Sequence, residues 1–171
     1  DYAVDEEARV LHVDVGGGTT KMAYIDEGFV EETASINVGA RLVAFDDDGA
    51  VTRLEDAARK VAADVGVDIE RGSVLSDEEK ALLAERFAEL LVEAIEGEPS
   101  DLAEALLVTD LPAFGDIDTI TFSGGGAEYI YDREKEYFGD LGPELGGAVR
   151  DAVEGAGYDI HELETGIRAT A

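Results

Sequence analysis

The sequence has no cysteine, no tryptophan, one methionine and three prolines among its 171 residues. Without cysteine, disulfides, thiolate catalysis and cysteine-ligated zinc are excluded. Basic residues are scarce too: 13 lysines and arginines stand against 41 aspartates and glutamates, for a formal net charge of −28. So acidic a surface repels phosphate backbones, which argues against any nucleic-acid partner. Long hydrophobic runs are missing, and nothing approaches the ~20 apolar residues that cross a bilayer. No membrane partner is therefore expected. No charged-then-apolar leader is present, and the expected location is the cytoplasm.

What is there is a globular composition. Hydrophobic residues make up 45% of the chain, enough for a real core in one domain. The acidic residues are spread through the predicted helices and turns rather than gathered in a tail. An acidic shell over an ordinary core is typical of a high-salt cytoplasm, where the Debye length falls to about 3 Å at 1 M. The four lysines and nine arginines agree with that halophilic reading, since lysine is usually depleted in such proteins. The charge is thus read as adaptation to solvent, not as a clue to substrate.

Periodicity predicts strands first and helices after. Residues 1–8 read as a loose leader, and residues 9–171 as a single subdomain. Residues 9–15 read as a buried strand and 21–26 as a second, with Asp26-Glu-Gly28 as the hairpin turn. Val30, Ala34, Ile36 and Val38 suggest a half-buried third strand. Residues 41–45 and 50–54 read as another hairpin around Asp46-Asp-Asp-Gly49. Leu54, Ala57, Ala58, Val61 and Ala62 share a helical face that Gly66 can end. Ser76 with Glu79 forms a capping box, followed by the stripe Leu83, Phe87, Leu90, Leu91 and Ala94 of the longest helix. Residues 101–108 read as a shorter helix and 117–122 as a strand. Pro143 suits the first turn of a helix to about Glu154. Residues 160–169 hold the weakest strand signal. The fold class is α/β: a mixed sheet covered by helices.

Two glycine runs carry the chemistry. Val13-Asp14-Val15-Gly16-Gly17-Gly18-Thr19-Thr20 ends one apolar segment, and Ser123-Gly124-Gly125-Gly126 ends another. With no Cβ in the way, successive N–H groups of such turns make a concave anion site. An aspartate before the turn can orient water on a metal ion that bridges phosphates. Threonines after it add hydroxyl donors. A plain hairpin turn explains the first run alone equally well; the second run favours a nucleotide site.

The resemblance covers nearly the whole chain. Asp14-Val-Gly-Gly-Gly-Thr-Thr20 resembles the second phosphate loop of the actin, sugar kinase and Hsp70 ATPase superfamily, and Ser123-Gly-Gly-Gly-Ala127 its adenosine loop. Asn37-Val-Gly-Ala-Arg-Leu42, Ile120-Thr-Phe-Ser-Gly-Gly-Gly-Ala-Glu-Tyr129 and Phe138-Gly-Asp-Leu-Gly-Pro143 narrow the match. In this order they resemble the ethanolamine ammonia-lyase reactivating factors, the ethanolamine utilisation protein A family. That resemblance implies the ribonuclease-H-like half of an actin-like ATPase. It also implies ATP and Mg²⁺ as cofactors, ethanolamine ammonia-lyase as partner, and a chaperone-like release of damaged adenosylcobalamin. Association with a bacterial microcompartment is left open. By the same resemblance, Gly16, Gly17 and Gly18 hold β/γ-phosphates, Thr19 and Thr20 add hydroxyl contacts, and Asp14 holds Mg²⁺ through water or orients the attacking water. Ser123 and Gly124 to Gly126 form the adenosine side.

The superfamily's first phosphate loop has no copy here. The chain is therefore expected to be the second nucleotide-binding half, excised from a longer chain, and by itself inactive as an ATPase. Lys21 and Ala40 stand where the family commonly has other residues. Other actin-like ATPases remain as alternatives, namely a diol dehydratase reactivase, a filament protein or a sugar kinase. So does a nucleotide-free binding module of the same fold. Asp46, Asp48, Gly49 and Glu55 match part of a calcium loop but read as an acidic hairpin turn. Asp159 and His161 begin a cobalamin-binding pattern whose glycine position is Glu164. His161 reads as a surface residue and His12 as a structural one.

Overall fold

A computed structural model describes residues 8–162. Four strands form the main sheet: β1 (Val10–Val15), β2 (Thr20–Asp26), β3 (Phe29–Ile36) and β6 (Thr119–Ser123), in the order β3-β2-β1-β6. The first three are antiparallel hairpin neighbours, whereas β6 lies parallel to β1. This is the mixed sheet that the sequence predicts, with the glycine hairpin at its centre. β4 (Val43–Phe45) and β5 (Val51–Leu54) make a separate two-stranded ribbon. The helices are α1 (Asp56–Val65), α2 (Asp77–Glu96), α3 (Asp101–Leu106), α4 (Gly125–Ile130) and α5 (Gly142–Gly155).

Alternation sorts the sheet into two faces. Leu11, Val13, Val15, Met22, Ile36, Ile120 and Phe122 are buried in the core. The core is completed by Leu83, Phe87, Leu90 and Leu91 of α2 and by Leu145, Val149 and Val153 of α5. Each such side chain stabilises the fold by ~1.5–3 kcal/mol. On the opposite face the register sets Ser35, Lys21, Asp14 and Ser123 in one row across the four strands. Ala148 of α5 is partly buried against the core.

Helix ends follow their local chemistry. The Ser76 hydroxyl accepts from Glu79 N, and the Glu79 carboxylate accepts from Ser76 N, so the predicted capping box forms. Gly66 ends α1 in the left-handed conformation, at φ 75°. Asp46 Oδ1 accepts from Asp48 N and Ala50 N, which makes the acidic hairpin an ordinary side-chain-capped turn.

Several boundaries differ from expectation. Residues 40–42 are a 3₁₀ turn, not strand, because Arg41 N donates to the carbonyl of Gly17 rather than to a neighbouring strand. The short helix stops at Leu106, and residues 106–108 turn back to pair with the end of β3. Gly125 and Gly126 are the first turn of α4, so the second glycine run is a strand-to-helix corner rather than an open loop. Ile160 forms a parallel bridge with Ile120; the rest of the predicted last strand, from residue 163, lies outside the described residues, as do residues 1–7 of the predicted leader.

Candidate functional site

The parallel register places Asp14 beside Ser123, so β1 and β6 end at the same level. Both glycine runs therefore leave the sheet side by side at the carboxyl ends of parallel strands, where open α/β sheets form ligand crevices. A cleft of about 450 Å³ opens there, lined by Gly16 and Gly17, by Gly124, Gly125 and Gly126, and by Arg41, Tyr129, Phe138 and Asp140. Gly18 lines the adjoining hollow, together with Gly17, Asn37 and Arg41.

The glycines are not equivalent. Gly16 N donates to Thr19 O at 3.0 Å, which closes the turn and uses one of the N–H groups predicted for phosphate. Among the described residues the N–H groups of Gly17 and Gly18 have no hydrogen-bond partner. Gly124 has φ 86°, and a Cβ there would collide with Asp14 Oδ1 and with the Val15 carbonyl. A Cβ on Gly126 would lie 2.6 Å from Val15 Cγ1. These two glycines are required by the close crossing of β1 and the β6–α4 corner. Gly125 alone of the three faces open space.

Two predicted contacts have other tasks. Thr20 is fully buried, and its hydroxyl donates to Val38 O at 2.7 Å. The strand begins at this residue, so its side chain turns into the core rather than toward the turn. Ser123 is also buried, with its hydroxyl 2.7 Å from His12 Nε2; His12 Nδ1 lies 2.7 Å from Thr121 Oγ1. Both hydroxyls are spent within the fold, Thr20 on the core face and Ser123 on the face it shares with Asp14. Thr19 lies half-buried at the turn, its hydroxyl 3.5 Å from Asn37 Oδ1. Asp14 is half-buried beside Gly124, which lines the cleft, but Asp14 is not itself among the lining residues. His12 is structural, as expected, and burial pushes its ring below the usual histidine range, with Asp14 opposing that shift.

The residues whose roles the sequence reading missed come from two distant stretches. Gly39 abuts the glycine hairpin: a Cβ there would collide with Gly17 O and lie 2.6 Å from Gly17 C. Two residues on, the Arg41 stem covers Gly17, and its Nη1 donates to Asp140 Oδ2 at 3.0 Å. Asp140 belongs to a segment that runs beside residues 40–45, through Leu141 N to Ala40 O and Phe45 N to Gly139 O. Gly139 has φ 75°, and a Cβ on it would lie 2.8 Å from Phe45 O; Gly142 and Gly146 let α5 close on Tyr129. Tyr129 donates its hydroxyl to Glu136 O. Burial, reinforced by Asp140, Glu134 and other carboxylates, pushes that phenol up to about 12, so it stays neutral. The available signal was the scarcity of cations: Arg41, two residues after Gly39, is one of 13 lysines and arginines in the chain.

Such a cleft offers unspent N–H groups for an anion and an open glycine for a flat ligand group. Among the described residues no three of His, Asp and Glu gather as a metal-binding group. Mg²⁺ does not require one, because it keeps several waters and is held by one or two carboxylates plus phosphates. Asp14, whose carboxylate lies beside Gly124 of the cleft wall, is the carboxylate nearest that pattern. No helix among the described residues is long and apolar enough to cross a membrane.

The family described as "Ethanolamine utilisation protein EutA" matches residues 1–171. The chain is 36% identical over 146 residues to the "Ethanolamine ammonia-lyase reactivase EutA" of Salmonella typhimurium, covering 84% of this chain and 31% of that protein. It is 37% identical over 147 residues to the protein of the same name from Escherichia coli K12, with the same 84% and 31% covered. The chain thus spans under a third of the length of these curated relatives. Among solved structures it is similar to the Aquifex aeolicus Ppx/GppA phosphatase, with 14% identity and a TM-score of 0.48, covering 98% of this chain and 57% of that one.

Proposed function

The chain belongs to the ethanolamine utilisation protein EutA family, and from that premise we propose that it forms the second nucleotide-binding half of an ATP-dependent reactivating factor for ethanolamine ammonia-lyase. The observation that carries this reading is the meeting of two glycine corners, from residues more than a hundred positions apart, around one cleft at the carboxyl ends of β1 and β6. The whole factor would release damaged cofactor from the lyase so that intact cofactor can enter. It would act in the cytoplasm, in the setting of ethanolamine use.

In this reading the Gly17 and Gly18 N–H groups hold phosphate oxygens of ATP. Gly125 leaves room for adenosine against the backbone of α4, with Tyr129 and Phe138 on the same wall. Asp14 holds a water of Mg²⁺ or orients the attacking water. Bound Mg²⁺ would neutralise charge that develops on the transferred phosphoryl group. Thr19 lies close enough to the turn to add a hydroxyl contact; Thr20 and Ser123 instead brace the two corners from behind.

Paired substitutions in the full chain test it. Asp14→Asn keeps size and a hydrogen-bonding oxygen but removes charge. It should lower Mg²⁺-dependent hydrolysis and recovery of inactivated ammonia-lyase more than it lowers ATP binding. Gly17→Val should abolish binding itself, since a branched side chain would stand between the phosphates and the Gly17 and Gly18 N–H groups. If Asp14→Asn hydrolyses ATP and reactivates like the parent, the role given to Asp14 is wrong.

A further inference from the structure

The cleft is lined by three carboxylates, Glu128, Glu134 and Asp140, and by a single cation, Arg41. A nucleotide brings its own negative charge into that wall, on a chain whose net charge of −28 already repels it. We propose that Arg41 is a phosphate ligand of the nucleotide and that Asp140 is the positioning residue that aims it. The proposal rests on the nucleotide reading of the cleft and adds to it a residue outside both glycine runs.

Three observations carry it. First, Arg41 is tied to the glycine hairpin at both backbone and side chain: its N–H donates to Gly17 O at 2.8 Å, and its stem lies where a Cβ on Gly17 would touch it, at 3.5–3.7 Å. The guanidinium cannot drift far from the N–H groups of Gly17 and Gly18. Second, among the described residues only one of its three guanidinium nitrogens has a partner. Nη1 donates to Asp140 Oδ2 at 3.0 Å and to Phe138 O at 3.3 Å, which uses both of its hydrogens. Nε and Nη2 keep three N–H donors, and the side chain is 44% exposed. A planar guanidinium fork with free donors matches a phosphate bidentately.

Third, Asp140 is spent. Its side chain is only 9% exposed, and its second oxygen accepts from Gly142 N at 2.7 Å. A carboxylate so enclosed needs its cation and fixes where that cation stands. It leaves the far edge of the guanidinium turned outward. The simpler alternative is that Arg41 only neutralises Asp140, and the two differ in what they do to ligands that lack phosphate.

The test is equilibrium titration of the full chain and its variants with ATP·Mg²⁺, ADP, AMP and adenosine, with a thermal melt of each variant. Arg41→Gln should weaken ATP and ADP by about tenfold or more, as loss of charged hydrogen bonds does, while adenosine stays within about twofold. It should also flatten the dependence of ATP affinity on salt. Asp140→Asn should weaken ATP less than Arg41→Gln does and leave adenosine alone; unchanged or tighter ATP binding would overturn the positioning role. If Arg41→Gln does not fold, Arg41→Lys keeps the charge but loses the fork, and should still weaken ATP by about threefold with adenosine unchanged. Parent-like ATP affinity in the folded Arg41 variant, or an equal loss of ATP and adenosine, would overturn the proposal and leave the nucleotide site standing. A parent chain that binds none of the four ligands would overturn both.

Discussion

Gly39→Ala isolates the contact against which the glycine hairpin is set. The backbone of Gly39 is extended, at φ −171° and ψ 160°, so alanine is conformationally allowed there. Its cost is purely steric. The new methyl would collide with Gly17 O and lie 2.6 Å from Gly17 C and 2.8 Å from Gly18 N. All three are backbone atoms, so no side chain can swing aside. Overpacking of this kind costs ~1–3 kcal/mol, and the rigid partner puts it toward the upper end. The hairpin can yield only by giving up the bond from Arg41 N to Gly17 O, worth about 1 kcal/mol. A total of about 3 kcal/mol lowers the melting temperature by roughly 6–12 °C in a domain of this size. Thermal unfolding followed by circular dichroism reads that shift, and ATP titration reads the displaced hairpin as weaker binding. Gly147→Ala is the control: it lies within α5 with nothing inside 4 Å of its Cβ. It should stabilise the chain by up to about 1 kcal/mol. If Gly39→Ala melts within about 2 °C of the parent and binds ATP equally well, the steric argument is refuted.

Two further outcomes follow from charge. With 41 acidic residues against 13 basic ones, the melting temperature should rise steeply from low salt to molar KCl as repulsion is screened; a flat profile would remove the halophilic reading. His12 is held below its ordinary value of 6.5 by burial. As pH falls through that value the unfolded chain takes up a proton that folded His12 resists, so this contribution to stability is present above it and declines below it. The stability advantage of the parent over His12→Gln should therefore shrink as pH drops, and a constant difference would show that the ring does not titrate in this way.

The elements were legible where one local rule dominated. The strands read over residues 9–15 and 21–26 form at Val10–Val15 and Thr20–Asp26, and the Ser76 capping box and the Gly66 stop form as well. Residues 40–42 were not, because a long-range bond from Arg41 to Gly17 overrides a strand-like local pattern. Within the site, the sequence marked both glycine runs but not the division of labour inside them. Gly124 and Gly126 are needed for close packing on β1, whereas Gly125 faces the cleft. That distinction depends on how closely the β6–α4 corner packs on β1, which no single segment encodes. The hydroxyls of Thr20 and Ser123 bond within the fold instead, because proximity in sequence to a turn does not decide which partner a side chain meets. The pairing of Arg41 with Asp140 spans 99 residues, so it emerged only once residues 138–141 were seen to run beside residues 40–45.

Gly125→Leu tests the central claim most directly. A Cβ at Gly125 meets no atom within 4 Å, its φ is not in the left-handed range, and the residue lines the cleft. Leucine in the first turn of α4 should therefore leave the fold intact, or stabilise it by a few tenths of a kcal/mol to about 1 kcal/mol, while its side chain stands in the space assigned to adenosine. Titrated with ATP·Mg²⁺ beside the parent, this variant should melt at or above the parent's temperature and lose ATP affinity by at least about tenfold. A well-folded Gly125→Leu chain that binds ATP as the parent does would contradict the account, because the nucleotide would then lie somewhere other than between the two glycine corners.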